Sequence, residues 1–224
     1  SSIFFIIFLP VLYINNTMKK IFTLIIGICS IAGLQAQSTV VGTTTYDLQT
    51  NGGNKSRLLV HDDGTVSAMW TGSTSGTISF TDRGMFFNSS PDGTTWGAFP
   101  TTRIEPTRTG FGDMVKVGDH EVMFSHDGTN IYVFKNDELG GTSWTPTAGS
   151  LQITGLWPNA YCPEGTDDIY VVNANSSTPT GVYFSKSTDG GESWDILEYT
   201  LPYLTTDEGF GAIGGEAYQI AVYG

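Results

Sequence analysis

Three tryptophans recur along this chain at nearly equal intervals. Trp96, Trp144 and Trp194 are 48 and 50 residues apart, and each closes a turn rich in Asp, Gly and hydroxyl side chains. The turns read SSPDGTTW at 89–96, NDELGGTSW at 136–144 and STDGGESW at 187–194. A period near 50 residues indicates a fold built from stacked supersecondary units, and units made of strands are typical of propeller blades.

Each stretch between these turns has the pattern of a strand, a tight turn and a second strand. Apolar and β-branched runs flank such a turn at 57–70, 114–128 and 159–175, and residues 211–224 begin the pattern again. A third strand then leads into each tryptophan turn, and an outer strand is expected after it. The sequence therefore predicts an all-β fold, a β-propeller of four-stranded antiparallel blades.

The repeat also predicts where the units begin and end. We expect blades at 57–105, 106–155 and 156–204, with an incomplete fourth unit at 205–224. A closed propeller has about four to eight blades. We therefore expect the chain to be a fragment of a longer protein.

The N-terminal residues are predicted to serve export rather than the fold. Residues 18–36 have two lysines, an apolar run and a small-residue end, which is the layout of a signal peptide. We therefore expect a secreted or cell-surface protein. Residues 1–17 lack an initiator Met and are expected to be an upstream extension, and residues 37–56 are expected to lead into the repeats. Pro10 interrupts the early apolar run, which is shorter than the roughly 18 residues of a membrane span, so the mature chain is predicted to have none.

The charge balance excludes one class of partner. The chain has a formal net charge of −12, contains 28 glycines, and has only 14% charged residues. Short strands joined by glycine-containing turns account for the low charged fraction. An acidic surface repels phosphate backbones, so we expect no nucleic-acid partner. The sequence leaves the oligomeric state open.

The third turn carries the most complete motif. Its sequence STDGGESW fits the pattern S-x-D-x-G-x-[ST]-W, and the chain thereby resembles the Asp-box (BNR repeat) family of sialidase-like β-propellers, of the secreted bacterial type. The corresponding residues of the three turns are Ser90, Asp92, Gly93, Trp96, Asp137, Gly141, Trp144, Ser187, Asp189, Gly191 and Trp194. The resemblance implies a structural role on the rim away from the substrate: Asp and Ser cap backbone N–H groups, Gly takes a strained φ, and Trp packs between sheets.

The same resemblance points to candidate site residues. Arg57 stands where the family places its first substrate-binding arginine, and Asp82 lies in the loop where the family's acid/base Asp is found. Arg57 and Asp82 are therefore candidate catalytic residues. The candidate ligand-binding residues are Arg57, Arg83, Arg103 and Arg108, since a guanidinium suits carboxylates. For the stretch around Arg103, a surface ion pair with Glu105 is the alternative interpretation.

Aromatic residues recur in the segments that enter the predicted inner strands, namely Phe111, Trp157, Tyr161 and Phe210. Two interpretations stay open for them, stacking on sugars and packing of the channel wall. The sequence has no H-E-x-x-H motif and no Cys/His cluster, so we expect no metal site and no cofactor. A calcium ion held by the acidic turns at 62–64 or 165–168 is the alternative.

Fold alone does not determine function. Our first hypothesis is a secreted or surface-associated module that binds a glycan or a protein at the face of the central channel. The alternative is a glycoside hydrolase of the exo-sialidase type, whose remaining catalytic residues would lie in further C-terminal blades. Residues 82–84 and 102–112 also resemble motifs of a group of bacterial exported repeat proteins.

Overall fold

The computed structural model describes residues 38–49, 56–175, 181–209 and 218–221. The chain divides into two compact units, residues 1–39 and 40–224, and nearly all of the described residues belong to the second unit. The predicted upstream extension at 1–17 and signal peptide at 18–36 therefore lie outside the described residues.

The described residues form strands and one short helix. In chain order the strands are β1 (Leu58–Val60), β2 (Val66–Gly72), β3 (Gly84–Ser90), β4 (Gly110–Val117), β5 (His120–His126), β6 (Ile131–Asn136), β7 (Trp144–Pro146), β8 (Leu156–Tyr161), β9 (Ile169–Asn175), β10 (Gly181–Ser187) and β11 (Ile196–Thr205). A 3₁₀ turn at Thr206–Glu208 follows the last strand.

The strands form three antiparallel sheets, each a meander in chain order. Blade 1 is β1-β2-β3, blade 2 is β4-β5-β6-β7, and blade 3 is β8-β9-β10-β11. The all-β prediction is confirmed, and the three sheets are propeller-like blades. The segment between described residues 40 and 49 has no strand and lies along blade 1 as a strap. In this strap the backbone N–H of Thr45 donates to Ser73 O at 2.9 Å.

Blade 1 departs from the expected four strands, since three are found in its described residues. Where the outer strand was expected, the segment 97–105 makes two separate ladder-like bonds, from Gly97 N to Ser89 O and from Ile104 N to Met85 O. The sequence contains a physical reason, because Pro100 lies in the middle of this segment. A proline has no backbone N–H to donate to a ladder.

Blade 2 is covered on both faces, which is what stacked blades require. Successive side chains of a strand point to opposite faces. Met123 of β5 packs with Met85 in the cluster between blades 1 and 2. Its neighbours Val122 and Phe124 pack with Ile169 in the cluster between blades 2 and 3. Burial on both faces thus explains why the strands of blade 2 are apolar at successive positions.

The three tryptophan-containing turns lie at the same end of the blades as the tight hairpins between the first two strands. We call this the hairpin end. In blade 3, for example, Gly190 N of the tryptophan-containing turn donates to Asp167 O of the hairpin at 3.0 Å. Because each sheet is a meander, the segments that lead into the first and third strands of every blade lie at the opposite end.

The acids of the first and third turns cap backbone N–H groups. Asp92 Oδ1 accepts hydrogen bonds from the backbone N–H groups of Thr94 at 2.8 Å and Thr95 at 2.6 Å. These bonds, that of Thr95 foremost, lower the pKa of Asp92. Asp189 Oδ1 accepts the backbone N–H of Ser193 at 2.9 Å. Both carboxylates therefore stabilise their own turns.

Two glycines of these turns have a positive φ, and two of the tryptophans make contacts within the fold. Gly93 and Gly191 have φ values of 71° and 88°, in the left-handed region that glycine adopts without strain. Trp194 Nε1 donates to Gly149 O at 2.9 Å. Trp144 packs against the cluster between blades 1 and 2.

The second turn is built differently, because its carboxylate comes from another strand. Both oxygens of the Glu121 side chain lie 3.1 Å from Gly140 N, and Asn136 Nδ2 donates to Glu121 Oε2. Asp137, the acid expected to cap this turn, is exposed, and no hydrogen bond joins its carboxylate to the turn among the described residues. The positive φ lies at Gly140, with a value of 73°, rather than at Gly141.

The first strands of successive blades are joined by a repeated hydrogen bond. Asp113 Oδ2 on β4 accepts the backbone N–H of Ala160 on β8 at 2.8 Å. At the equivalent place on β8, Asn159 Oδ1 accepts the backbone N–H of Ile220 at 3.0 Å. Residues 218–221 therefore lie beside blade 3 where the first strand of a further blade is expected.

No helix within the described ranges has both the length and the apolar composition that a bilayer crossing requires.

Candidate ligand-binding site

The meander topology gathers three of the four arginines of the chain at one end. Arg57 precedes β1, Arg83 precedes β3 and Arg108 precedes β4. The starts of these strands lie at the end opposite the hairpins, which we call the arginine end. In a chain with a formal net charge of −12, this is a local concentration of positive charge.

Arg83 is buried at the centre of the cluster between two aromatic rings. Its guanidinium carbon lies 5.1 Å from the ring centroid of Tyr46 and 5.0 Å from that of Phe111. Its Nε donates to Thr109 O at 2.8 Å, and its Nη1 donates to the Tyr46 hydroxyl at 3.3 Å. Burial, and then the positive charge of Arg108, lower the pKa of Arg83. The cation–π contacts compensate part of the cost of burying this charge.

Arg57 contacts the same segment of β4 from blade 1. Its Nε donates to Gly112 O at 3.2 Å. Burial lowers its pKa to about 10, and the charge of Asp113 acts in the opposite direction. The side chain therefore stays a cation at neutral pH. Its Nη2 is buried and makes no hydrogen bond with the described residues, so this donor is unused.

Arg108 and Arg103 differ in how much of the guanidinium group is free of hydrogen bonds to the protein. Arg108 is exposed, and its Nε donates to Phe80 O at 3.1 Å. Arg103 donates to three backbone carbonyls, those of Glu105, Thr81 and Pro106. Arg108 thus presents its terminal nitrogens to solvent, whereas Arg103 ties neighbouring loops together.

Asp82 is held by the loop that precedes it. Its carboxylate accepts hydrogen bonds from Ser73 Oγ at 2.5 Å, from Thr74 N and Oγ1 at 2.7 and 2.9 Å, and from Ser75 N at 3.0 Å. Partial burial acts to raise its pKa, but the hydrogen bonds from Ser73 and Thr74 outweigh this and lower the pKa to about 2. The carboxylate is therefore ionised at neutral pH, and a catalytic role for Asp82 stays a prediction.

Glu105 does not form the surface ion pair with Arg103 that was the alternative interpretation. It is buried, and its side chain accepts hydrogen bonds from Ser125 Oγ at 2.5 Å and from Met85 N at 2.9 Å. Burial raises the pKa of Glu105, and these hydrogen bonds act against the rise. The folded protein therefore keeps the Glu105 proton to a higher pH than the unfolded chain does.

This difference predicts a pH-dependent effect of Glu105→Gln. The folded state binds more protons above the unfolded pKa, so the contribution of Glu105 to stability falls as pH rises through that range. A glutamine side chain has nearly the same shape as that of Glu105 but has no carboxyl group to gain or lose a proton. We expect the variant to gain stability relative to the wild type between pH 5 and 8, with a slope of at most about 1.4 kcal/mol per pH unit. Urea unfolding at both pH values measures this. A difference in stability between the variant and the wild type that is the same at pH 5 and at pH 8 would contradict it.

A row of aromatic rings crosses the arginine end from blade 1 to blade 3. Tyr46 contacts Phe111 at 6.3 Å between ring centroids, Phe111 stacks on His126 at 5.7 Å, and His126 meets Trp157 at 6.1 Å. Phe80 extends the row beyond Tyr46 at 5.1 Å. Tyr46, Phe111 and His126 are buried, while Phe80 and Trp157 are partly exposed.

Three members of this row, Tyr46, Phe80 and His126, were not singled out from the sequence as site residues. Tyr46 comes from the strap, 37 residues before Arg83, and no local pattern signals that contact. His126 is the last residue of β5. Its sequence neighbours predict only a turn, and they do not indicate that its ring lies between those of Phe111 and Trp157. Of the aromatics noted from the sequence, Phe210 lies outside the described residues.

The hairpin end holds a separate cavity. Its volume is about 670 Å³, and β1, β4 and β8 contribute to its lining. The charged side chains around it include Asp62, Asp119, Glu164, Asp167 and Lys116. Across the described parts of the chain, no group of three or more His, Cys, Asp or Glu side chains is placed to hold a metal ion. The predictions of no cofactor and of calcium as the alternative stay untested.

The sequence and the fold of the chain can be compared with those of known proteins. No protein-family model matches the chain, and no curated protein matches it. Several solved structures are similar. A family 117 glycoside hydrolase of the marine bacterium Zobellia galactanivorans has 14% identity and a TM-score of 0.48, with 74% of this chain and 64% of that chain covered.

Two other solved structures show similar values. An ulvan lyase of polysaccharide lyase family PL25 has 12% identity and a TM-score of 0.48, with 73% of this chain and 42% of that chain covered. A protein of unknown function from Dyadobacter fermentans has 15% identity and a TM-score of 0.43, with 69% and 57% covered. The chain thus spans less than two thirds of each of these proteins. At these values the matches assign neither a family nor an activity.

Proposed function

We propose that the protein is an exported propeller-like module that binds a glycan through a carboxylate at the arginine end. The observation that carries the proposal is the convergence of Arg57, Arg83 and Arg108 at the start of β4. A guanidinium donates paired hydrogen bonds that match a carboxylate.

The three arginines have different parts in such a site. Arg108 is exposed and offers its terminal nitrogens directly. Arg57 is held beside β4 by the bond from its Nε to Gly112 O, and its charge adds positive potential to the arginine end. Arg83 is held between Tyr46 and Phe111 and adds positive potential to the cluster.

The overall charge restricts the ligand further. A chain with a formal net charge of −12 repels extended polyanions. A ligand with one carboxylate on an otherwise neutral molecule experiences the local positive charge of the arginine end with less of this repulsion. We therefore propose a glycan with a single acidic sugar, such as a uronic acid.

The test compares two sugars that differ only in the carboxylate. Isothermal titration with D-glucuronic acid and D-glucose is expected to show binding of the acid alone. Arg108→Ala is expected to weaken that binding about tenfold, since a hydrogen bond to a charged group contributes about 1.5 to 3 kcal/mol. Lys116→Ala, which removes one cation from the hairpin end, is the matched control and should bind like the wild type. Equal affinity for both sugars, or an unchanged affinity in Arg108→Ala, would overturn the proposal.

The glycoside hydrolase stays the alternative function. It requires a tyrosine paired with a glutamate as nucleophile, whereas the tyrosine of this cluster, Tyr46, bonds to Arg83. Release of a fluorophore from a sialoside by the purified protein, lost in Arg57→Ala, would favour the hydrolase over a binding module.

A further inference from the structure

The outer edge of blade 1 has a gap where the other two blades have a fourth strand. Blades 2 and 3 end on the outer strands β7 and β11. In blade 1 the segment 97–105, which we call the outer segment, is bonded to the β3 backbone near its two ends. Gly97 N donates to Ser89 O at 3.1 Å, and Ile104 N donates to Met85 O at 2.9 Å. Between these two bonds the described outer segment makes no backbone hydrogen bond to β3.

The backbone groups of Phe87 point into this gap. Met69 N on β2 donates to Arg57 O on the β1 side, and Met69 stands directly opposite Phe87 of β3. Opposed residues of an antiparallel pair either exchange both hydrogen bonds or turn their backbone groups away from each other. Phe87 therefore turns its N–H and its C=O towards the outer edge, where no described residue bonds to either group.

The gap also changes the surroundings of the tryptophan that follows each outer segment. In blade 3, Trp194 Nε1 donates to Gly149 O, which lies shortly after the outer strand of blade 2. Trp144 has the equivalent place in blade 2, but its buried Nε1 has no acceptor among the described residues. The outer segment of blade 1 thus does not supply the carbonyl that blade 2 supplies to Trp194.

A cavity of about 600 Å³ occupies the gap. Phe87 and Ser89 of β3 line it on one side, and the outer segment from Gly97 to Ile104 lines it on the other. Its volume falls within the range of about 300 to 1,000 Å³ that is usual for ligand pockets. Nearly all buried backbone groups of folded proteins are paired, so the N–H and C=O of Phe87 at this cavity call for a partner.

We propose that this cavity binds a sugar that carries an acetamido group, and that the amide of the sugar pairs with the backbone of Phe87. The two outward groups of one strand residue require a partner with an acceptor and a donor next to each other, as an opposed residue of an antiparallel ladder provides. A secondary amide has both. A carboxylate could accept from the Phe87 N–H, but it has no donor for the Phe87 C=O.

The other walls of the cavity suit the rest of such a sugar. Phe99 and Trp144 form an apolar wall for the acetyl methyl group, and the ring of Trp144 meets that of Phe87 edge to face at 5.1 Å. Thr101 and Thr102 are exposed and bring hydroxyl groups to the opening. Arg103 is the one charged side chain among the described residues that line the cavity, so the cavity favours a ligand without a large charge.

The two end bonds favour a compact ligand over an added peptide strand. Met85 and Ser89 are four residues apart, which is about 14 Å along a strand. Their carbonyls are already taken by Ile104 and Gly97, so an extended peptide has no edge to pair with beyond Phe87. The cavity contains none of the arginines of the arginine end except Arg103, which ties loops together. The inference therefore does not rest on the proposed function.

The first test compares two sugars that differ only in the acetamido group. In isothermal titration, N-acetyl-D-glucosamine is expected to bind the wild type about tenfold tighter than D-glucose, because two hydrogen bonds to Phe87 are gained. Phe99→Ala is expected to weaken this binding about fivefold, since it removes part of the apolar wall. Phe99 is 48% exposed, so the variant is expected to fold. Tyr203→Ala, which removes an exposed aromatic ring from β11, is the matched control and should bind like the wild type.

The second test locates the bound amide on the wild-type protein. In ¹H–¹⁵N spectra, saturating N-acetyl-D-glucosamine is expected to shift the amide resonance of Phe87. The amide of Phe86 is the internal control, because Phe86 stands opposite Trp70 in the pair that bonds across β2 and β3. A shift at Phe86 but not at Phe87 would overturn the inference.

Three further outcomes decide the proposal. Equal affinity for the two sugars overturns it, and so does binding that leaves the Phe87 amide unshifted. Binding of N-acetylalanine N-methylamide without binding of the sugar overturns it in favour of a peptide ligand. Arg108→Ala is expected to keep full affinity for N-acetyl-D-glucosamine, so failure of the glucuronic acid test and failure of this one are distinguishable.

Discussion

Replacing Glu121 with alanine is expected to lower the free energy of unfolding by about 3 to 5 kcal/mol, because it removes the shared acceptor of a buried hydrogen-bond network. The Glu121 side chain is fully buried. In blade 1 its Oε1 lies 2.7 Å from His61 Nε2 and accepts a hydrogen bond from Ser67 Oγ at 2.5 Å. In blade 2 it accepts hydrogen bonds from Asn136 and from the backbone of Gly140. Alanine would leave the buried Ser67 hydroxyl and His61 ring without this partner, and Asn136 with only its bond to Gly141 O.

Urea unfolding of Glu121→Ala and of the control Asp137→Ala measures this effect. Asp137 is exposed and belongs to the same turn, so its removal is expected to change stability by less than about 0.5 kcal/mol. The reverse order, with Asp137→Ala the more damaging, would show that the turn depends on its own acid and would contradict the role given to Glu121.

The second turn shows where motif reasoning from the sequence stops. A local pattern predicts a local contact, and it did so for Asp92 and Asp189, which cap the turns that contain them. Glu121 lies 15 residues before the Asn136 side chain that it binds. The sequence around Glu121 has no feature that signals this, since the contact depends on how β5 pairs with β6.

The blade repeat was predictable for a different reason. The apolar runs and the tryptophan turns recur in all three blades, and runs of this kind fit a strand that is buried on both faces, as β5 of blade 2 is. The missing outer strand of blade 1 is an exception with a local cause. Pro100 stands in that segment, and a proline there was a visible argument against a ladder.

The candidate site could be predicted only as single residues. Arg57, Arg83 and Arg108 were found from the sequence, but their convergence depends on the three strand starts lying at one end of the meander. Tyr46 could not be found, because the strap crosses blade 1 through contacts such as that between Gln49 and Thr71 and no repeat specifies its path. The ring row through His126 likewise depends on two blades packing side by side.

Asp113→Ala is expected to be the other strongly destabilising substitution, at about 2 to 4 kcal/mol. Asp113 lies on β4 of blade 2 and is buried. Its carboxylate accepts hydrogen bonds from the backbone N–H of Ser56, next to blade 1, at 2.5 Å and from that of Ala160, in blade 3, at 2.8 Å. Alanine would leave the buried N–H of Ala160 without this acceptor, at a cost of about 1 to 3 kcal/mol. It would also remove the negative charge that stabilises the buried guanidinium of Arg57.

The control for Asp113→Ala is Asp119→Ala, which removes an exposed acid from the hairpin that follows the same strand. Asp113→Asn separates the two causes, because an amide keeps one acceptor oxygen, as Asn159 does towards Ile220, but not the charge. We expect the asparagine variant to lie between the wild type and alanine in urea unfolding. If Asp113→Ala unfolds at the same urea concentration as Asp119→Ala, the hydrogen bonds that Asp113 makes to the neighbouring blades contribute nothing measurable to the free energy of unfolding.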